Sequence, residues 1–433
     1  MDKTLRINSI YSRTKSWHVV CNEQPASNNL KEKGYMAYAG LDVVEHRLDD
    51  LSSIAESLAQ RFALTAAERD RRGGTPKIER DTLRVSGLLT LAVPRSLGGH
   101  GADWSQIMQI IRIFARVDSS IAHVFGFQHL MLATARLFGR PDQWEPLFEQ
   151  TVRKRWFWGN ALNPLDTRTL SIPKDTGREF VGRKSFCSGA TDSDMLIASA
   201  RQEGQDRLII AAIPTDRRGI VIHQDWDNMG QRQTDSGSVV LDRVRVEEHE
   251  ILSEPGPLGS IFATLRPLIA QLIFSNMFLG LAEGAVNEAR HYTRTQARLW
   301  VNSPVEQVTQ DPYVLEHYGN FHVELEAARL LTDRAGDALD KAWAAENALT
   351  KRRRGETAIA IATAKVATTR TGLSIANRMF EVMGARATTG SLGLDRYWRN
   401  LRTQTLHDPV EYKIAELGEW ALNDRIPTPS FYS

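Results

Sequence analysis

Apolar residues recur at helical spacing through the first third of the chain. Val44, Leu48, Leu51, Ile54, Leu58 and Phe62 share one face of a helix that begins near Leu41. The Gly73-Gly74-Thr75-Pro76 break starts a second helical run, which stops at Val93-Pro94 and the turn Gly98-Gly99-His100-Gly101. Helices are predicted over 104–117 and, buried, over 122–138. The pattern then changes. Short β-type runs at 155–162, 180–186, 194–200, 207–213, 219–224 and 237–246 are separated by turn residues such as Gly177, Gly182, Gly204 and Gly219. They lie too close together for βαβ units, which predicts a compact antiparallel barrel or sandwich. Helices return from about Leu258, over 265–300, 311–348, 356–383 and a terminal segment. Ile359, Ala362, Val366, Leu373, Ala376, Phe380 and Met383 recur at near-heptad spacing, as in a helix bundle. The expected class is α+β, mostly α: an extension of low periodicity (1–40, with Met36 as an alternative start), then a helical domain (41–154), a β domain (155–256) and a helical bundle (257–433).

One stretch, 377–413, carries most of the candidate chemistry. A long helix is expected to end at Gly384, and another starts near Asp395 and breaks at Leu406-His407-Asp408-Pro409. Asp408 suits an N-cap, Pro409 the first helical position, and Glu411 the reciprocal capping position. This holds His407 at a break between two helices. Arg386, Arg396, Arg399 and Arg402 supply enough guanidinium to receive a phosphate. The competing reading is a helix corner with solvated arginines. The Lys351-Arg352-Arg353-Arg354 run reads as a solvated loop between helices.

Composition narrows the classes. Hydrophobic content of 42% and charged content of 24% are ordinary for a soluble globular protein. A formal net charge of +2 gives no argument for a nucleic-acid or membrane partner. Two cysteines, Cys21 and Cys187, make neither a disulfide framework nor a metal set, and fit a reducing cytoplasm. The most apolar stretch, 267–286, carries Gln271, Ser275, Asn276 and Glu283, so it reads as a buried helix rather than a membrane span.

The chain has no GxGxxG after a strand, no P-loop and no GxSxG, and its eleven histidines form no paired ligand spacing, so no metal site is expected. Three local features remain. Asn160 follows the aromatic run Trp156-Phe157-Trp158 and could present an amide to a polar ring edge, although an aromatic core strand is the simpler reading. Phe186-Cys187-Ser188-Gly189-Ala190 looks like a strand end opening onto a glycine turn. A second turn cluster, 225–238, holds Trp226, which could stack on a flat ligand.

Together these stretches resemble the acyl-CoA dehydrogenase fold, and within it the flavin-dependent monooxygenases typified by dibenzothiophene monooxygenase. The resemblance rests on ERDRRGG, SGLLTLAVPRSLGGHGADW, FCSGATDSD, RQTDSGS, IAQLIF, YTRTQAR, FEVMGAR, DRYWRNLRT and LHDPVEYK, and covers about Leu51 to the end of the chain. Acyl-CoA dehydrogenases usually carry a Glu-Gly-Thr run where this chain has Leu406-His407-Asp408-Pro409, so their carboxylate base is missing. The resemblance implies a two-component enzyme. A separate NAD(P)H-dependent flavin reductase supplies reduced FMN, and a C4a-(hydro)peroxyflavin formed with O2 passes one oxygen to a sulfur compound. It further implies that Asn160, Lys184, Phe186 and Ser188 lie along the flavin ring, with His407 by its C4a region; Asn160, Ser188 and His407 are the expected catalytic set. Arg298, from a neighbouring subunit, and Arg386 beside Ala385 would hold the phosphate of FMN in a homotetramer. His123, Phe127, Trp226 and Gln404 would border the substrate. Phe127 and Gln404 replace a tyrosine and a histidine of the dibenzothiophene enzymes, and 161–173, matching their mobile lid, has its own sequence. A different, smaller sulfone, sulfinate or sulfide is therefore expected. The alternatives are an FAD-dependent acyl-CoA dehydrogenase with Glu411 as its nearest base, a flavin-dependent N-hydroxylase, and a non-catalytic flavin-binding oligomer.

Overall fold

The computed structural model describes residues 48–433; the predicted extension over 1–40 and the helical start near Leu41 lie outside the described residues. α1 (Leu48–Arg72) buries the predicted stripe through Leu51, Leu58 and Phe62. α2 (Lys77–Val85) follows the Gly73-Gly74 break, and two short 3₁₀ turns lead to α3 (Trp104–Ala115). α4 (Ser119–Phe138) is capped by Asp118, whose carboxylate accepts from the backbone N–H of Ser120 (3.0 Å) and Ile121 (3.1 Å). It is buried along nearly its whole length. α5 (Pro141–Lys154) was not foreseen, because Pro146 interrupts it and it buries little more than Phe148 on its inner face.

The sheet comprises β1 (Trp158–Ala161), β2 (Thr169–Pro173), β3 (Arg178–Lys184), β4 (Met195–Gln202), β5 (Leu208–Pro214), β6 (Ile220–Ile222) and β7 (Val239–Val246). Its order is β1-β4-β2-β3-β7-β6, with β5 on β4. The expected antiparallel pairing holds for β2–β3, β3–β7, β4–β5 and β6–β7, but β1 and β2 both run parallel to β4. β5 fills one edge of β4 over 195–201, so the chain leaves β1 (paired at 195–198 on the other edge) through a loop and returns further along that same edge at 201–202, in the same direction. β2 also takes the second half of the segment expected to be a lid.

The helical half is built on α6 (Arg266–Thr295), which packs against α3, α4, α7 (Pro312–Ala344) and α8 (Lys351–Met383). It is long and apolar enough to cross a membrane, but 89% of its apolar window is buried inside the protein, so it is the core helix the polar residues implied. Gly280 and Gly284 let it approach α3. A Cβ added there would stand 2.5 Å from the Arg112 carbonyl oxygen and 2.0 Å from that of Arg116. α8 ends at Gly384, whose φ of +78° a side chain would resist. α9 (Arg396–Thr405) and α10 (Val410–Asn423) follow, separated by the predicted break.

Two expectations fail here. The basic run over 351–354 is the first turn of α8, not a loop, and Arg354 is buried, donating to Thr264 Oγ1 and its carbonyl (both 3.0 Å). At the second break Pro409, not Asp408, occupies the N-cap position. Asp408 is unavailable as a cap because its carboxylate is engaged by side chains from elsewhere.

The Gly284 crossing generates a stability prediction. Gly284→Ala must push α3 and α6 apart and should cost about 1–3 kcal/mol, read as a lower thermal unfolding midpoint. An unchanged midpoint would mean that the crossing can open freely.

Candidate active site

Two cavities, of about 620 Å³ and about 340 Å³, share Phe127, Asn160, Phe186, Leu406 and His407 on their walls. They adjoin where α4, the end of β1, the turn after β3 and the α9–α10 break converge. The smaller one is edged by the hydroxyls of Ser188, Thr234 and Ser236 and by Trp226. The larger is walled by Leu130, Leu162, Phe274 and the 163–168 loop, with Arg266 also on its wall.

His407 stands at the junction because its anchor is buried. Its Nδ1 lies 3.0 Å from Asp408 Oδ1, and Asp408 Oδ2 accepts from the Lys365 ammonium at 2.5 Å. Lys365 is buried on α8, where burial lowers its pKa against the attraction of Asp408. For Asp408, burial opposes ionisation, but the hydrogen bond to His407 and the Lys365 charge outweigh it and hold the carboxyl well below the usual range. The His407 ring packs on Phe274 with centroids 4.8 Å apart. With Nδ1 committed, Nε2 is the nitrogen free to meet a ligand.

The sheet side presents a hydroxyl chain. Thr234 Oγ1 donates to the Gln231 carbonyl at 3.0 Å, lies 2.7 Å from Ser236 Oγ, and Ser236 Oγ lies 2.8 Å from Ser188 Oγ. If each hydroxyl donates inward along this chain, Ser188 keeps its lone pairs for a donor in the cleft. Asn160 Oδ1 accepts from Leu162 N at 3.1 Å, leaving its NH2 group without a protein partner. Phe186 has φ of +59°, a left-handed conformation that is costly for a bulky side chain, and its ring stands edge-on to Trp226 at 5.9 Å. Trp226 is fixed by donation from Nε1 to the Gln231 carbonyl at 2.8 Å. Beneath them the fully buried Arg80 pairs with Asp235 at 2.8 Å and donates to the carbonyls of Gly189 and Asp192. That one side chain ties α2 to both turns of the cleft.

His123 and Gln404, expected to border the substrate, line the smaller cavity only. Burial and then the nearby His407 push the His123 pKa down to about 3, with Gln404 as the polar group beside it. Its ring stacks on Phe127 at 4.2 Å. Other expected residues lie elsewhere. Lys184 lines neither cavity; its buried ammonium donates to the loop carbonyls of Asn163 (3.2 Å) and Asp166 (2.6 Å), so it pins the loop rather than a ring. Burial lowers its pKa to about 8. Arg298, Ala385 and Arg386 are exposed and line neither cavity of their own chain. Arg399 is spent on Asp70 and Asp395, and Arg396 lies over Tyr397, so those two are structural. Sequence reading missed Phe274, Lys365, Thr234, Ser236 and Arg266 as site residues, although RQTDSGS contains Thr234 and Ser236 and IAQLIF contains Phe274.

The arrangement fits a flat heteroaromatic cofactor with N–H and C=O edges in the smaller cavity: a free amide, an acceptor hydroxyl and two aromatic rings meet there. Among the described residues no group of three or more His, Cys, Asp or Glu could hold a metal. A helical layer, a curled sheet and a second helical layer around such a cleft define the acyl-CoA dehydrogenase architecture. The chain matches the acyl-CoA dehydrogenase N-terminal domain over 49–154, the middle domain over 160–244 and the C-terminal domain over 272–412. It is 65% identical to a Pseudomonas putida protein described as "Probable FMNH2-dependent monooxygenase SfnC", over 88% of this chain and 97% of that one. The structure of methanesulfinate monooxygenase MsuC from Pseudomonas fluorescens superposes with a TM-score of 0.87 at 63% identity, covering 88% of this chain and 99% of that one. FMN-bound TdsC from Paenibacillus sp. A11-2 gives 0.85 at 41% identity, covering 89% and 100%. The chain belongs to the FMN-dependent organosulfur monooxygenases of the acyl-CoA dehydrogenase fold.

The buried histidines of α4 set an acid limit. Burial lowers both His123 and His129 to about 3, so each stays neutral when folded and takes up a proton only on unfolding. The stability they carry is present above the ordinary histidine value of about 6.5 and is lost as pH falls towards 3. The thermal midpoint should drop between pH 7 and pH 4, and His129→Leu should make that drop shallower. Equal slopes for the two proteins would assign the acid limit to other groups.

Proposed function

We propose that this chain is the oxygenase of a two-component cytoplasmic system. It takes reduced FMN from a separate NAD(P)H-dependent flavin reductase and transfers one atom of O2 to the sulfur of a small sulfinate, sulfone or sulfide. The observation that carries this reading is an imidazole, not a free carboxylate, at the junction of the two cavities. Asp166 and Asp408 are the carboxylates on those walls, and both are committed: Asp166 to Arg168 and the Ser185 N–H, Asp408 to Lys365 and His407. Glu411, the base an acyl-CoA dehydrogenase would need, is exposed and outside both cavities. This favours oxygen transfer over α-proton abstraction.

Bound reduced FMN supplies the electrons that activate O2. Asn160 and Ser188 orient the ring by its polar edge, and Trp226 and Phe186 cover it. With Nδ1–H donating to Asp408, His407 Nε2 would accept a hydrogen bond from a protonated oxygen in the cleft, and would donate to that oxygen once the ring is protonated. The 163–168 loop, pinned by Lys184, keeps bulk water from the larger cavity, where the substrate sits. That the relative of solved structure acts on methanesulfinate supports a small sulfur substrate here.

The phosphate of FMN needs cations that the smaller cavity lacks. Arg298 and Arg386 are exposed and carry no ion pair among the described residues, and α7 presents Tyr313, Val323 and Leu330 outward. A homotetramer that buries this apolar face and brings Arg298 to a neighbour's cleft accounts for both.

His407→Ala should keep oxygen uptake while product per NADH falls at least about 10-fold and hydrogen peroxide rises to match. Coupled turnover at the wild-type level would remove His407 from the reaction. Light scattering on the purified protein should give the mass of four chains; a monomer would exclude Arg298 as a donor across subunits.

A further inference from the structure

We propose that Arg266 is the substrate's charge anchor: a subsite on the wall of the larger cavity that selects organosulfur monoanions over neutral compounds. This rests on the oxygenase reading above and names the substrate class for it.

Arg266 is the first residue of α6 and is more than nine-tenths buried. Its one polar contact to protein is Nε donating to Thr134 Oγ1 at 3.3 Å, and no carboxylate lies within ion-pair distance among the described residues. Arg80 and Arg112, also buried, carry ion pairs with Asp235 and Asp333, and the buried Arg354, which has none, spends its Nε and Nη2 on Thr264 and the Ser433 carbonyl. Burial lowers the Arg266 guanidinium to about 10, with Tyr432 as the titratable neighbour, so it stays charged at neutral pH.

The other charges on this wall cancel. Asp166 pairs with Arg168, and Asp408 with Lys365. One guanidinium with two unspent nitrogens is left facing a cavity of about 620 Å³ that is otherwise largely apolar. An isolated buried cation is costly unless something supplies the counter-charge, and a planar guanidinium matches a two-oxygen anion. A sulfinate or a carboxylate has that shape. A neutral sulfone has oxygens but no charge to return.

The other anion at hand is the phosphate of FMN. It is a poorer match for one guanidinium, being a dianion, and Ser188, Thr234, Ser236 and Trp226 line the other cavity. Phe274, which touches the His407 ring, is eight residues further along α6, about 12 Å at the helical rise. That is the spacing of the two backbones, which the long Arg266 side chain can shorten.

The test uses wild type, Arg266→Met and Arg266→Lys, each as the full chain with reduced FMN supplied by a reductase. The probes are methanesulfinate, 3-(methylsulfonyl)propanoate and neutral dimethyl sulfone. Arg266→Met should raise KM for the anion the wild type prefers by about 100-fold with a smaller change in kcat, leave dimethyl sulfone unaffected or improved, and be partly rescued by Arg266→Lys. Calorimetry without flavin should show the same loss of anion binding. The thermal midpoint of Arg266→Met should not fall, since an uncompensated charge is removed, and its FMN affinity should equal wild type. Preference for methanesulfinate would place the charge on the reacting group; preference for the propanoate would place it at the far end of a longer substrate. A wild type with no preference for anions, an unchanged KM in Arg266→Met, or a loss of FMN affinity there overturns the subsite. Absence of oxygenated product from every probe overturns the oxygenase reading instead, and the calorimetry still decides Arg266.

Discussion

Asp408 divides its two carboxylate oxygens between a buried lysine and a half-exposed histidine, and the cleft takes its character from that division. A lysine as deep as Lys365 would be strongly destabilising alone, and so would a carboxylate as enclosed as Asp408. Paired, they satisfy one another and leave one oxygen to fix an imidazole. The cost of breaking such a pair, roughly 3–5 kcal/mol, also holds the break between α9 and α10 in place. Asp408 therefore acts as a side-chain bracket between α8 and His407, which is why it cannot serve as the cap of α10.

The opposite wall uses strain and hydroxyls where this one uses charge. Phe186 is held in a left-handed conformation because Cys187 N donates to the Gly237 carbonyl and Ser188 N to the Phe186 carbonyl, closing a tight turn. Arg80 fixes that turn and the neighbouring 234–236 turn together through Asp235 and the carbonyls of Gly189 and Asp192. A single guanidinium from the helical half thus determines where Ser188 and Ser236 stand. Backbone strain of this kind persists only where surrounding contacts over-determine it.

The helices, the β region and the His407 break were legible because periodicity, turn chemistry and the Leu406–Pro409 sequence are local properties. α5 and β2 were not, since Pro146 and the apparent lid segment masked them. The aromatic run before Asn160 is the core strand of the simpler reading, with Phe157 and Trp158 fully buried, and the asparagine at its end lines both cavities. Lys184 illustrates the limit. Its place on the strand was read correctly, but alternation along a strand does not reveal that its ammonium turns to the 163–166 carbonyls. Arg354 fails in the same way, because a basic run looks solvated until Thr264, ninety residues away, is seen to receive it. Partners remote in sequence decide whether a charge is structural.

That distinction separates this site from the hydride chemistry for which the fold is best known. A dehydrogenase needs one carboxylate left free in an apolar cleft, so that burial makes it a base. Here both carboxylates on the cavity wall are neutralised, and the groups left uncommitted are an imidazole nitrogen, an amide, a hydroxyl and one guanidinium. The free carboxylate that the dehydrogenases of this fold use as their base is absent from these walls. Together the uncommitted groups can orient a ring, hold a proton near an oxygen and attract a charge. The change in chemistry thus follows from where the chain cancels its own charges, with the helix–sheet–helix frame unaltered.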